Sequence, residues 1–397
     1  MAVPRFPSLS SPARALPSSI FDELMRRLAA YRGKVIPLHI GDTHLAPPDR
    51  SRLGSLGFPT GPDPDLYRYS PPPGKQELLD AVVQKLGRQN RFPAADRDHV
   101  QITAGATHAL SCAVRSVLDP GEELLLLTPY WPLIRGIAVS SGVRPVDVPF
   151  SLQLLREQRA PVEDLIEEHV TPLTAGIYLC TPNNPDGKVL TREEVTAIAR
   201  VADRHGLWLL SDEVYEDLLY DGREHVSVGS LPGMEERAIT VFSFSKSYGQ
   251  AGLRVGYVVA PRSAAAAVRK MSNHTVYCVP KAMQKAALAA LEHGAEFLAG
   301  ARRDYAAARD HAHGRLAELC IRPEAATYLW LDLGRFRRRG EEDCLGLLAR
   351  MADAGVLLAP GAVFGHAYRS WARLCFTAVG RAMLDEAIDR VRQVLEA

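Results

Sequence analysis

The sequence predicts an α/β fold in which a mainly parallel sheet carries helices on both faces and is joined to a smaller α+β unit. Two patterns predict it. From Val35 to Pro261 short apolar runs alternate with helical patterns, the order produced when parallel strands are linked by crossover helices. After Pro261 the pattern changes to alanine-rich helices up to about Leu319, then to a few strands and a closing helix. A chain of 397 residues also exceeds the size at which one core usually stops growing, so a large domain with a smaller one is expected.

Taken in order, the first sixteen or so residues are rich in Pro, Ser and Ala and read as a loose arm. "SSIFDELMRRLAAYRG" reads as a capped amphipathic helix, with Ser18 or Ser19 as N-cap and Gly33 beyond its end. "VIPLHIGD" opens the alternation. The strand readings are "HVQITAG", "EELLLLTP", "RPVDVPF", "AGIYLCTP", "LWLLSDEVY", "RAITVFSFS" and "LRVGYVVAP", and the helices between them include "ATHALSCAVRSVL", "YWPLIRGIAVSSG" and "REEVTAIARVADRHG". In the last third "ATYLWLDL", "GVLLAPG" and "RLCFTAV" read as strands and "AMLDEAIDRVRQVLEA" as the final helix.

Composition excludes several classes of function. The net charge is +1 and the charged fraction is ordinary, which gives no electrostatic reason for nucleic acid or an anionic membrane as partner. A small neutral or zwitterionic substrate fits better. Six cysteines, Cys112, Cys180, Cys278, Cys320, Cys344 and Cys375, are scattered without a C-x-x-C pair and read as thiols in a reducing compartment. The N-terminus has no apolar signal region and no run is long enough to span a bilayer, so a cytoplasmic location is expected. No H-E-x-x-H or cysteine-pair spacing suggests a metal, and "GQAGLRVG" lacks the glycine spacing of a dinucleotide fingerprint.

Four segments place unusual residues where open α/β sheets gather functional groups, at the carboxyl ends of strands. "QITAGATHAL" turns from strand to helix at Gly105, so the amides of Ala106 and Thr107 and the Thr107 hydroxyl suit a phosphate at a helix N-terminus; by itself such a loop serves turn geometry equally well. "LCTPNNPDG" is a turn by composition in which the Asn184 amide can donate to an oxygen of a bound ring. "LWLLSDEVY" sets Asp212 straight after apolar strand residues, where an unpaired carboxylate is costly unless it meets a cation, and Tyr215 follows three residues on. "SFSKSYGQAGLRVGY" sets Lys246 after another apolar strand, among Ser243, Ser245 and Arg254, which suit a phosphate, and Gly249, Gly252 and Gly256, which let the backbone approach it. A buried lysine is what Schiff-base chemistry requires. An amine for an aldehyde, a carboxylate for a ring cation, an amide and a phenol for a ring oxygen, and a phosphate cradle are together the requirements of pyridoxal phosphate.

Those residues, in that order, resemble the class I/II aminotransferases, pyridoxal-phosphate enzymes of fold type I, from "IGDTHLAPP" to "RLCFTAVG". The resemblance implies a seven-stranded sheet and three parts: residues 1–34, an arm and helix joining the small domain; residues 35–270, the large cofactor-binding domain; and residues 271–397, the small domain with an interdomain helix. It implies that Lys246 forms the internal aldimine and serves as general acid and base, and that Asp212 pairs with the pyridine nitrogen. Tyr215 and Asn184 are implied to hydrogen-bond the ring 3-oxygen, Trp131 to stack on the ring, and Gly105, Ala106, Thr107, Ser243, Ser245 and Arg254 to hold the phosphate. Tyr69 is implied to reach the phosphate of a neighbouring subunit, hence a homodimer with shared sites. Arg373 and Gly41 are implied to receive the substrate α-carboxylate, the first in a two-pronged pair.

The expected activity is transfer of an amino group between an L-amino acid and a 2-oxo acid. The alternative keeps cofactor and lysine but eliminates, replaces or cyclises, as a lyase, replacement enzyme or cyclase in a specialised biosynthetic pathway. A non-catalytic regulator is disfavoured, since such proteins carry an added DNA-binding module and there is no room for one before Val35. The departures from the family pattern, Thr43 and His44 in "GDTH", Gln250 and "EAATYLW", are expected around the substrate. His44 and His366 read as pocket wall or surface, His311 and His313 as solvated surface, and Arg68 is a candidate for a distal carboxylate.

Overall fold

The computed structural model describes residues 8–16, 21–58, 65–92, 95–154 and 160–397. Its strands are β1 (Ile36–Pro37), β2 (Val100–Thr103), β3 (Glu123–Thr128), β4 (Arg144–Pro149), β5 (Thr174–Cys180), β6 (Trp208–Asp212), β7 (Ala238–Ser243), β8 (Gly256–Val259), β9 (Tyr328–Asp332), β10 (Val356–Leu357), β11 (Ala359–Pro360) and β12 (Trp371–Cys375). Seven of them form one sheet in the order β2-β8-β7-β6-β5-β3-β4. All neighbours pair parallel except β8, which is antiparallel to β2 and β7. These are the seven apolar runs read from the sequence.

The central runs are mainly apolar because both faces of the sheet are covered, whereas the edge strand β4 carries Arg144 and Asp147 and is only partly buried. In β3, Leu124 and Leu126 pack into one apolar layer with Leu110 and Ile134, while Leu125 and Leu127 pack into the opposite layer with Ile177 and Ile198. Alternate side chains of a strand point to opposite faces, so four consecutive leucines feed two cores. The helix Arg192–Arg204 on the second face begins at Thr191, whose hydroxyl accepts from Glu194 N while the Glu194 side chain accepts from Thr191 N, a reciprocal cap that satisfies two otherwise free amides.

Beyond the sheet lie the helices Arg262–Asn273, Lys281–His293 and Ala295–Leu316. An antiparallel sheet of β11, β12 and β9 and the final helix Arg381–Glu396 complete the chain. Two expectations need correction. The arm is not wholly irregular: Ser11–Ala15 is a short helix capped by the Ser10 hydroxyl. The helix Phe21–Ala30 forms as expected, but Ser18 and Ser19 lie outside the described residues.

More consequential is β1, which falls on the large-domain side of the boundary expected at residue 35. It pairs parallel with β10, some 320 residues away, and Leu38 O accepts from Cys375 N at 2.8 Å. Leu24, Leu28, Ile36 and Leu38 share an apolar cluster with Leu331, Val356, Leu374 and Ile388, so a boundary at residue 35 cuts through packed structure. The segment that follows is thereby led past β12 to the mouth of the site.

All six cysteines are free. No helix among the described residues is long and apolar enough to cross a membrane, and no group of three or more His, Cys, Asp or Glu among them suits a metal ion.

Because Ile36 is fully buried in this shared cluster, Ile36→Ala is expected to cost about 2–5 kcal/mol. Hydrogen exchange should show the loss of protection at Val356–Leu357 and along β9 and β12, with β5 and β6 spared; uniform loss over both sheets would contradict the packing described.

Candidate active site

One cavity of about 240 Å³ opens at the carboxyl ends of β5, β6 and β7, where the parallel strands release their last side chains. Asp212 is the final residue of β6 and lies beside Cys180, the final residue of β5. It is 3% exposed. Oδ2 accepts from the Tyr178 hydroxyl at 3.0 Å, whereas Oδ1 is buried with no hydrogen-bond partner among the described residues. Burial drives its pKa up to about 6, opposed by the Tyr178 hydroxyl, the Val214 backbone amide and Lys246, with Glu213 adding to the rise. An isolated buried carboxylate is costly, and Asp212 lines a cavity together with Lys246, Arg254 and Arg373.

After Asp212 the chain makes a turn, and this brings Tyr215 to the same cavity. Its hydroxyl meets that of Tyr328 at 2.5 Å, with the rings edge to face. Lys246 sits in the short helix Phe244–Ser247 after β7, and its Nζ donates to Gly41 O. The preceding Ser243 accepts from Ser245 N at 3.1 Å, which locks the turn that presents Lys246.

Opposite lies the N-terminus of the helix Gly105–Val117. Its N-cap Ala104 has no side-chain acceptor, so the first amides are left to bind an anion. Two glycines permit the close approach. A Cβ on Gly105, at φ +78, would fall 2.5 Å from Arg254 Nη2, and one on Gly256 would fall 2.7 Å from Phe242 O and 3.1 Å from Ala106 N. Gly252, by contrast, faces open space. Arg254 adopts φ 54 and donates to Ala251 O at 2.9 Å, an orientation that turns its guanidinium toward Gly105.

The far wall comes from the C-terminal unit. Arg373 on β12 is buried over the rings of Tyr328 and Phe364, at 4.3 and 5.0 Å. It donates to Asn184 Oδ1 at 2.7 Å and His39 O at 2.6 Å, and its Nε has no partner among the described residues. Since the Asn184 oxygen is taken by Arg373, its NH₂ is the end left to donate into the cavity. Burial, helped by the Arg373 charge, lowers the His39 pKa to about 4, so the imidazole stays neutral beside the guanidinium at neutral pH.

Of the residues singled out from sequence, Gly41, Ala106, Thr107, Trp131, Asn184, Asp212, Tyr215, Ser243, Ser245, Lys246, Arg254 and Arg373 all line this cavity, and Gly105 backs it. Tyr69 does not: it is 80% exposed and packs against Tyr277. Gln250, read as a pocket residue, is buried against the helix Lys281–His293, with Nε2 donating to Ala286 O at 3.4 Å. His44 is turned outward, with Nδ1 on Thr377 O. His366 and Arg68 are exposed, and His311 pairs with Asp385 instead of standing free in solvent. Sequence reasoning missed Tyr178 and Tyr328, which look like core aromatics within apolar strands, and His39, whose neighbour Gly41 was the only signal.

The chain is similar to known proteins along most of its length. The family described as Aminotransferase class I and II matches residues 34–391. The aromatic-amino-acid aminotransferase 2 of Thermococcus litoralis is 33% identical over 84% of this chain and 85% of its own. The aspartate aminotransferase of Pyrococcus abyssi is 31% identical over 93% of each. Among solved structures, a Thermus thermophilus aspartate aminotransferase double mutant superposes with a TM-score of 0.88 at 28% identity, covering 98% of this chain and 100% of that one. Nothing in these likenesses favours elimination, replacement or cyclisation. The fold is that of the pyridoxal-phosphate enzymes of fold type I, and the chain belongs to the class I and II aminotransferases.

Proposed function

We propose that the cavity binds pyridoxal phosphate and that the protein uses it to move an amino group from an L-amino acid to a 2-oxo acid. The observation that carries this reading is the convergence of the Lys246 amine, the orphaned Asp212 Oδ1 and two separate cationic ends, Arg254 and Arg373, in one cavity. The residues fit the group. A pyridine N–H would satisfy Asp212 Oδ1, and the resulting charge pair would hold the carboxylate ionised. The free amides at Ala106 and Thr107, with Ser243, Ser245 and Arg254, would take the phosphate. Tyr215 and the Asn184 NH₂ would hold the ring oxygen, and Trp131 would cover the ring face.

When bound, pyridoxal phosphate supplies an aldehyde carbon for an amine and a ring that accepts the electron pair left when the substrate Cα–H bond breaks. The remaining work belongs to the chain. Arg373, positioned by Asn184 and His39 O, would bind the substrate carboxylate with the donors it has free, and Gly41 would close the same end. A side chain at Gly41 would collide with the Tyr328 hydroxyl, so this wall depends on backbone alone. Lys246 Nζ would serve as the general base and acid that takes the proton from the substrate Cα and holds it for return.

The shared-site dimer is part of the proposal. Tyr67 and Tyr69 are 84% and 80% exposed, and Val276 and Tyr277 are exposed as well, an aromatic patch that supports burial against a second copy. Tyr69 would then serve the neighbouring cavity. Mixing the Tyr69→Ala and Lys246→Ala chains under subunit exchange should regenerate activity, since one site of each mixed dimer has both residues; no recovery would refute sharing.

The reaction itself is tested by adding an amino-acid panel that includes aromatic acids and aspartate to the cofactor-loaded protein. Conversion to the pyridoxamine form with stoichiometric 2-oxo acid is expected, whereas ammonia or a cyclised product with unchanged cofactor would overturn the reading.

Without cofactor, the raised pKa of Asp212 makes a signed prediction. A carboxyl whose folded pKa lies above its unfolded value favours the fold below the unfolded pKa, near 4, and loses that contribution as pH rises through about 6. Asp212→Asn removes the penalty, so the cofactor-free variant should be more stable than the parent by about 1–3 kcal/mol at pH 8, with the difference closing near pH 4. Denaturant titrations showing the same difference at both values would contradict this.

A further inference from the structure

Behind the turn that carries Asp212 and Tyr215 lies a second, fully internal polar group. Glu213 is 0% exposed, and its side chain leaves the turn on the side away from the cavity. Four donors meet its carboxylate. Oε1 accepts from Ser211 Oγ at 2.8 Å and Val228 N at 2.9 Å; Oε2 accepts from His225 Nε2 at 2.8 Å and Ser227 Oγ at 2.5 Å. Glu213 N donates to Val241 O of β7 at 2.9 Å, so the residue ties β6, β7 and the 225–228 loop to the root of the catalytic turn.

A buried carboxylate is retained at a cost that an apolar side chain would avoid, and here the donors define its position from three directions. The His225 side chain is 7% exposed. Burial opposes its protonation, but Glu213, assisted by Glu216, outweighs this and the opposing Lys85 charge, and its pKa is raised. The other ring nitrogen, Nδ1, is buried with no hydrogen-bond partner among the described residues, so Glu213 is the group that fixes the ring. Three residues further round the turn, Glu216 meets Lys85 at 2.7 Å and Asn90 at 2.5 Å, so the turn is pinned from behind twice.

We propose that Glu213 and His225 are positioning residues: anchored behind the turn, they hold Asp212 and Tyr215 toward the cofactor. This rests on the pyridoxal-phosphate reading above. The test titrates pyridoxal phosphate into the cofactor-free parent and into Glu213→Gln, His225→Leu, His225→Gln and Ser227→Ala, reading the dissociation constant and the midpoint pH of the bound cofactor's visible band.

His225→Leu and Glu213→Gln are expected to weaken binding about tenfold, the loss of a buried charged hydrogen bond, and to move the band's midpoint. His225→Gln keeps an N–H donor without the charge and should recover part of the affinity. Ser227→Ala removes one of four donors and should give a smaller change in the same direction. If Glu213→Gln fails to fold, the other three decide. Folded His225→Leu and Ser227→Ala proteins with the parent's dissociation constant and midpoint would overturn the inference while leaving the cofactor reading intact. A parent that does not bind pyridoxal phosphate would remove both.

Discussion

The site turns on one buried carboxylate. Asp212 stands at the end of a central strand, inside two apolar layers, with one oxygen satisfied by Tyr178 and the other left without a hydrogen-bond partner among the described residues. A protein interior tolerates such an atom only where something pays for it. The sheet supplies the rigidity: four parallel pairings and two antiparallel ones fix the strand ends, so that the residues after β5, β6 and β7 meet without further adjustment. The cations that complete the cavity come from elsewhere, Arg254 from the turn just before β8 and Arg373 from the other sheet.

Charge separation across the cavity follows from this layout. Arg254 lies beside Gly105 at the helix N-terminus, where the helix dipole also favours an anion. Arg373 is held at the opposite wall by two aromatic faces and two hydrogen bonds, and neutral His39 adds no competing charge. Under the proposed reading, a molecule with a phosphate at one end and a carboxylate at the other would be oriented by these two cations before any chemistry begins. The amine of Lys246 lines the same cavity, its neighbours locked by the Ser243 cap.

Most of the large sheet was legible because strands covered on both faces must be apolar along their whole length, and "ELLLLT" admits little else. The cofactor-facing residues were legible for the opposite reason: Asp212, Lys246 and Arg254 interrupt apolar or glycine-rich surroundings with groups that need a partner. Residues whose role depends on distant packing were not. The pairing of β1 with β10 spans the whole chain, and no local pattern announces it. Gln250 is four residues from Lys246, yet the 3₁₀ turn Ala251–Leu253 that follows leaves its side chain against Ala286. Tyr328 sits in an apolar strand where an aromatic residue looks like core, and only the third dimension brings its hydroxyl to Tyr215.

The central claim is that Lys246, among all the amines of the chain, is the one built to bond pyridoxal phosphate. Borohydride reduction of the protein mixed with equimolar cofactor, followed by proteolysis and mass measurement, tests it most directly. The label is expected on the peptide bearing Lys246 at near-unit occupancy; label spread over exposed lysines with Lys246 unmodified would contradict it.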